Sequence, residues 1–373
     1  VTDTPLPSPA RGLRHDALAL LSPGDGRPVQ PTAYDRFEAW WYGAADNTRR
    51  AFVTDIRAWS AFQANRGQPP APASPLDVRD YVRLRGYQGA KASTIARALA
   101  SIAVLHDIAG TPSPVRDRVV SGEMKGLRRH EALAGTSRRR QAKALRLKGD
   151  VADLERDAPQ PLSVLALLST LDEHTPAGAR DRLLLLLGAD LGRRRSELTA
   201  FNVGDVAAAG DGSGTIVIRR SKTDQCGEGR VKYLSPEAMR AHERWMAHRA
   251  AQVPGGAVTV DAPLLTSVDR FGRIGGRLSD DGIRHLVRRI AREGLAQLCP
   301  EKSLEDIDRE ITGLSGHSFR VGFAQDLTAA GEGLAAICQA ADWRSPEMPN
   351  RYAEALSARS GAVARLRRRV APA

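Results

Sequence analysis

At 373 residues, with 42% hydrophobic and 26% charged side chains, the chain has the composition of a folded protein rather than a disordered one, and its length favours two domains. Lysine and arginine number 55 against 43 aspartates and glutamates, a formal charge of +12, which points to a polyanionic partner, most often nucleic acid. No apolar run approaches the roughly 20 residues of a membrane helix, no secretory pattern opens the chain, and Cys226, Cys299 and Cys338 form no CxxC or CxxH pair, so a cytoplasmic protein with no metal, no cofactor and no membrane partner is expected.

Residues 1–30 are rich in proline and glycine without a sustained period, and read as a mobile tail. Residues 31–135 read as an all-helical bundle. In its first clear segment Phe52, Ile56, Trp59 and Phe62 recur at helical spacing before Gly67. A second helix is expected after Ser74 or Asp77, carrying Val78, Tyr81 and Val82. A third places Ile95, Ala98, Leu99, Ile102 and Leu105 on one face and ends at Gly110. Residues 136–149 are basic and lack an apolar face. They read as an interdomain linker, either lying along a phosphate backbone or simply solvated.

A second domain is expected over 150–373. "SVLALLSTLDEH" and "ARDRLLLLLGADLG" suggest two helices. Thr215 to Arg219 and Val231 to Leu234 have strand composition, and Cys226 to Gly229 reads as the turn of a hairpin. Helical patterning resumes at Leu278 and continues to the end. The fold class is therefore mainly α: a helical bundle followed by a mostly helical domain with one small antiparallel sheet.

Four separated segments of the second domain place polar groups where packing does not ask for them. In "LGRRRSELTAFNVGDV", Glu197 lies three residues after Arg194, in reach as a helical partner; that pair is either a surface ion pair or an arginine held for an anion. Lys222 stands in the hairpin's turn region, where a solvated lysine is the commoner reading. "GHSFRVG" sets His317 and Arg320 one helical turn apart. "ADWRSPEMPNRYAE" contains Trp343 and Tyr352, each more often core than chemistry when met alone. Together the set suits a pentavalent phosphorane. Cations and donors on the non-bridging oxygens must stand ready before phosphoryl transfer. Arginine supplies a two-pronged donor that lysine does not. A leaving alkoxide needs a proton, and an activated tyrosine is a nucleophile.

The order Arg194, Glu197, Lys222, His317, Arg320, Trp343, Tyr352 resembles the tyrosine recombinase (phage integrase) family. The likeness runs through about residues 31–373. It implies the family's fold, a helical core-binding domain joined to a DNA breaking-rejoining catalytic domain, and a site-specific recombinase activity. By that resemblance Tyr352 would attack the scissile phosphate to give a 3′-phosphotyrosyl link. Arg194 and Arg320 would hold the non-bridging oxygens with His317 and Trp343. Lys222 would protonate the leaving 5′-oxygen, and Glu197 would orient the Arg194 region. Four protomers would exchange strands through a Holliday junction, two per double-stranded DNA site with inverted repeats, in a nucleoid-associated protein of bacterial or phage origin. Two departures stand out: Arg193 occupies a position that is leucine in most members, and Trp343 one that is often histidine. The C-terminal stretch with Val363 and Leu366 would dock on a neighbouring protomer. Base-reading candidates, by position, are Arg49, Arg50, Ser93 and Arg97 in the first domain and Asp281, Arg284 and Arg288 in the second. The alternatives are a catalytically silent DNA-binding accessory protein and a type IB topoisomerase.

Overall fold

The computed structural model describes residues 8–21, 31–136, 141–149, 158–219 and 229–354, with single positions between 356 and 370. The chain divides into two compact units, Val1–Arg139 and Arg140–Ala373.

The first unit is helical in its described part: α1 (Ser8–Leu21), α2 (Pro31–Gly43), α3 (Asp46–Ala64), α4 (Pro75–Tyr87), α5 (Ala92–Ala109) and α6 (Arg118–Leu133). Local chemistry sets the boundaries. Ser74 and Asp77 close a reciprocal capping box at the start of α4. The Asp117 carboxylate accepts from the Val119 N–H at the start of α6, and Gly110 ends α5 in the left-handed region. The helical spacing seen in the sequence becomes one core. Phe52, Ile56 and Trp59 of α3 meet Val78, Tyr81 and Val82 of α4 and Ile95, Leu99, Ile102 and Leu105 of α5. Among the described residues α5 alone is long and apolar enough, by length and composition, to cross a membrane; its apolar face is this core.

One expectation for this unit fails. Residues 8–21, assigned to a mobile tail, form α1, with Ala17 fully buried and Leu13 and Leu18 packed on the core. Arg14 pairs with Glu38, and Arg57 with Asp16. The apolar stripe is under two turns long and flanked by proline and glycine, so periodicity over a longer window averages it away.

In the second unit, α7 (Val164–Leu168) stops sooner than its sequence pattern suggests, and α8 (Pro176–Leu191) follows. Leu183 to Leu187 are all buried, because α8 is the central helix and packs against α7, α10 (Pro236–Ala250), α11 (Asp280–Leu298) and α13 (Ser318–Ala329). The hairpin forms as expected from β2 (Gly214–Ile218) and β3 (Arg230–Leu234), with Ile216 opposite Lys232; its turn lies outside the described residues. β1 (Val206–Ala208) adds an antiparallel third strand. A second sheet, β4 (Thr266–Val268) with β5 (Ile274–Arg277), was not anticipated. Its Ser267, Gly275 and Gly276 carry no strand signal, and the Asp269 carboxylate organises its turn by accepting from the N–H groups of Phe271 and Arg273.

Of the basic stretch 136–149, residues 141–149 are built into this unit. The N–H groups of Lys143 and Leu145 donate to the carbonyls of Gly313 and Ser318. Leu145 is buried in the main core, and Arg146 pairs with Asp326 inside the protein. Gly322 of α13 lies so close to the Leu145 carbonyl that a β-carbon would collide with it. The remaining described helices are α9 (Arg195–Ala200), α12 (Leu304–Glu310), α14 (Leu334–Ala341) and α15 (Glu347–Tyr352).

Candidate active site

The chain leaves α8 through Gly192, which takes φ 55 and closes the helix onto the Gly188 carbonyl. Three arginines follow, and the first two part ways. Arg193 is fully buried: it donates to Asp342 at 2.5 Å and to the Ala340 carbonyl at 3.1 Å. Arg194 caps α9 and keeps its guanidinium about a quarter exposed. Its Nη1 donates to Glu197 Oε1 at 2.6 Å, and Glu197 itself is buried. The i,i+3 spacing read from the sequence is thus an ion pair with one solvent-facing member.

His317 and Arg320 open α13. Arg320 is 1% exposed, yet its donors are used: Nη1 on the Gly192 carbonyl and Nη2 on the Ala341 carbonyl, each at 3.0 Å. Trp343 covers it, with the guanidinium carbon 4.3 Å from the ring centroid. Burial and the nearby Arg194 lower the Arg320 pKa to about 10, so it stays charged at neutral pH. A guanidinium held by two carbonyls and one aromatic face has its orientation set before any ligand arrives.

Tyr352 ends α15 with its ring buried. Its Oη lies 2.7 Å from His317 Nε2, and its ring centroid is 5.9 Å from that of Trp343. The Gln325 amide donates to the Tyr352 carbonyl at 2.9 Å and fixes the end of the helix. Burial pushes the tyrosine hydroxyl above its ordinary pKa, against the pull of Arg320, Arg351 and Arg194. Burial lowers the pKa of His317, and Arg320 and Arg194 lower it further. The histidine is therefore neutral at neutral pH, and a neutral imidazole can accept the tyrosine proton. The indole N–H of Trp343 has no hydrogen-bond partner among the described residues.

Six of the seven positions singled out in the sequence thus lie in one region of the second unit. The seventh, Lys222, lies outside the described residues, between β2 and β3. Among the described residues no three His, Cys, Asp or Glu side chains cluster as a metal site. Sequence reasoning missed Asp342, buried beside Trp343. It pairs with Arg193 and also with Arg230 and Lys232 of β3, at 2.8 and 3.0 Å. The one available signal was the extra arginine at 193, a buried-side position of the chain that requires a counter-charge.

The base-reading candidates differ in availability. Arg50 and Ser93 are exposed. Arg49 is held in place within the fold, by the carbonyls of Trp41 and Tyr42 and by Asp46. Arg97 grips Asp55 with two donors. Asp281 pairs loosely with Arg195 and Arg284, and Arg288 donates to the Leu314 carbonyl. Val363 and Leu366 are exposed.

Comparison with known proteins locates the same two regions. Residues 161–359 match the phage integrase family, and residues 42–110 match its N-terminal SAM-like domain. The chain is 28% identical over 327 residues to the recombinase Cre of Escherichia phage P1, covering 86% of this chain and 88% of that protein. It is also 28% identical over 322 residues to an integrase/recombinase XerD homologue of Selenomonas ruminantium, covering 83% and 82%. Among solved structures, the XerH site-specific recombinase bound to its difH substrate superposes with a TM-score of 0.54 at 13% identity, covering 96% of this chain and 98% of that one. The Tn1549 transposon integrase bound to transposon right-end DNA gives 0.54 at 15% identity, covering 89% and 100%. At such identities the structures attest the shared fold.

Proposed function

The chain belongs to the phage integrase family of tyrosine recombinases, and on that premise we propose that it binds double-stranded DNA at an inverted-repeat site and recombines it through a covalent link to Tyr352. The observation that carries this reading is the 2.7 Å contact between Tyr352 Oη and neutral His317 Nε2, beside Arg320 and Arg194.

The step balances without an external cofactor. Tyr352 Oη bonds to phosphorus and passes its proton to His317, and the P–O5′ bond breaks. The leaving 5′-oxygen takes a proton from Lys222. Arg320, already oriented by Gly192 and Ala341, and Arg194, held by Glu197, neutralise the non-bridging oxygens. Trp343 offers its indole N–H to the same oxygens. The phosphotyrosyl bond keeps the energy of the broken diester, so a 5′-hydroxyl from another strand reverses the step. Within a tetramer, exchange of one strand pair gives a Holliday junction, and exchange of the second pair resolves it. In the first unit the exposed Arg50 and Ser93, at the starts of α3 and α5, serve as major-groove contacts. Arg49 and Arg97 act from positions already set by internal partners. Asp281, Arg284 and Arg288 serve the same end along α11.

The test uses labelled duplexes built on inverted repeats of about a dozen base pairs found near the coding sequence, nicked to trap the adduct. Wild-type protein is expected to form a denaturant-resistant protein–DNA adduct and, on intact substrates, recombined product. Adduct with plasmid relaxation and no exchange would assign a topoisomerase instead. DNA binding with no adduct would leave an accessory DNA-binding protein.

A further inference from the structure

α15 has six residues and ends at Tyr352. A helix this short is not stable by itself, and its last carbonyls find no partner within it. What fixes Tyr352 therefore comes from outside α15. The Gln325 amide of α13 donates to the Tyr352 carbonyl at 2.9 Å, and the Gln141 amide approaches the same oxygen at 3.5 Å. Tyr352 also shares a small apolar cluster with Val321 and Ala324 of α13, against which Ala142, Ala144, Trp343 and Met348 pack. Three of these partners, Gln141, Ala142 and Ala144, belong to the basic stretch that reads as a linker in the sequence.

The same stretch also holds the turn that carries His317. The Lys143 N–H donates to the Gly313 carbonyl and the Leu145 N–H to the Ser318 carbonyl, each at 3.1 Å. The Lys143 ammonium donates to the Glu310 carbonyl at 2.6 Å. Leu145 enters the main core, whereas Ala142 and Ala144 go to the Tyr352 cluster. Successive side chains on opposite sides are the pattern of an extended chain. The far end is anchored on α13, next to Gln325: Arg146 donates to Asp326 Oδ1 at 2.7 Å, and the Leu147 N–H to Oδ2 at 2.8 Å. Gly322 lets α13 come this close, since a β-carbon there would meet the Leu145 carbonyl. A plain connection between two units needs none of these contacts. Together they join one segment to both members of the Tyr352–His317 pair.

We infer that residues 141–147 form a positioning strap: one side holds the His317 turn, the other seats Tyr352, and together they set the 2.7 Å contact between Tyr352 Oη and His317 Nε2. Gln141 is the strap's polar hold on Tyr352, and Gln325 is its counterpart on α13. Their role in the reaction rests on the reading of Tyr352 as nucleophile. Removing the two amides leaves Arg194 and Arg320 with their partners and frees the tyrosine. The deficit then belongs to the attack on phosphorus and spares DNA binding.

The experiment takes two readouts from the full chain. The first is the fluorine spectrum of protein carrying fluorotyrosine at its six tyrosines, in which the Tyr352 resonance is identified by its loss in Tyr352→Phe. The second is single-turnover adduct formation on the nicked duplexes of the adduct assay. Q141M/Q325M removes both donors at near-constant volume, and Ala144→Val crowds the seat from the strap side. Both variants are expected to bind DNA as wild type does and to shift the Tyr352 resonance while the other tyrosines stay in place. Both should form adduct about tenfold to a hundredfold more slowly, as small misplacements of reacting groups do. Adduct formation within about twofold of wild type, on the same scale, would show that the strap does not position the tyrosine, and the inference is wrong. A shift of every tyrosine resonance, or a loss of DNA binding that matches the loss of adduct, would make the segment a general stabiliser of the unit, which also overturns it. Wild-type protein that forms no adduct removes the reaction and the strap's role in it together. That failure is distinct, because it shows before any variant is compared.

Discussion

The two units treat buried charge in opposite ways. In the first, the buried groups are Phe52, Trp59, Tyr81, Ile95 and their neighbours. The charged exception is Asp55, gripped by Arg97 and by the Ser101 hydroxyl. In the second, Arg146, Arg180, Asp181, Arg193, Glu197, Arg320 and Asp342 are all buried. Burying such groups is unfavourable unless each finds partners, and here carbonyls and carboxylates supply them. A helical bundle that presents a surface needs shape, and apolar packing provides it. A site for an anion is served by cations whose orientation is settled in advance, as the two carbonyls settle that of Arg320.

The largest effect that could break this contrast is at the proposed nucleophile. Tyr352→Phe should abolish the covalent adduct while DNA binding persists; an adduct from that variant would remove Tyr352 from the chemistry. Next comes the buried guanidinium. Arg320→Lys should slow cleavage about 10²–10³-fold, the usual consequence of losing an oriented donor, since lysine cannot reach the carbonyls of Gly192 and Ala341 and still present a fork. A variant within about twofold of wild type, against this scale, would mean that the orientation of Arg320 is incidental.

Paired glycine substitutions sharpen the comparison in stability. Gly322 of α13 faces the Leu145 carbonyl with no room for a methyl, whereas Gly126 of α6 has open space around it. Gly322→Ala should destabilise the second unit by about 1–3 kcal/mol. Gly126→Ala should stabilise the first by about 0.5–1 kcal/mol through helix propensity and a less flexible unfolded chain. Urea unfolding of the full chain, with peptide-resolved hydrogen exchange, assigns each change to its unit. Equal signs would show that packing around α13 is looser than the Leu145 contact requires.

Two histidines make the same contrast in pH. In the first unit His106 is buried, donating from Nδ1 to the Ile102 carbonyl and accepting at Nε2 from the Ala73 N–H. Burial lowers its pKa, so the folded unit binds its proton less readily than the unfolded chain does. That contribution to stability is intact above the ordinary histidine value of about 6.5 and is lost as pH falls below it, at roughly 1.4 kcal/mol per pH unit at most. His106→Gln should flatten that slope; an unchanged slope would point to other groups. In the second unit His317 is lowered as well. As the proposed base, His317 then stays neutral to more acidic pH, so the acid limb of the cleavage profile should lie below about 6.5. A limb at or above that value would count against His317 as the proton acceptor.

Much of this was legible in the linear chain, and the gaps have physical causes. The helices of the first unit show because an amphipathic helix repeats its apolar face every three or four residues. The packed turns of α1 escaped because a stripe this short does not stand out from proline- and glycine-rich flanks. The β4–β5 sheet escaped because backbone hydrogen bonds and the Asp269 turn define it, with little help from its side chains. In the candidate site, Arg194, His317, Arg320, Trp343 and Tyr352 were singled out because phosphoryl transfer calls for those residue types, and the fold brings them into one region. Asp342 was passed over because its partners, Arg193, Arg230 and Lys232, come from remote parts of the chain.

By itself the sequence determined the fold class, the hairpin and the recombinase pattern, and it named the candidate reacting groups; these follow from local periodicity and from residue chemistry. Tertiary structure alone decided which of two adjacent arginines faces outward, which carbonyls aim Arg320, and which hydroxyl His317 meets. It also decided that one aspartate in a left-handed turn gathers three cations. Those outcomes depend on distances between segments far apart in the chain, and only the packed protein sets such distances.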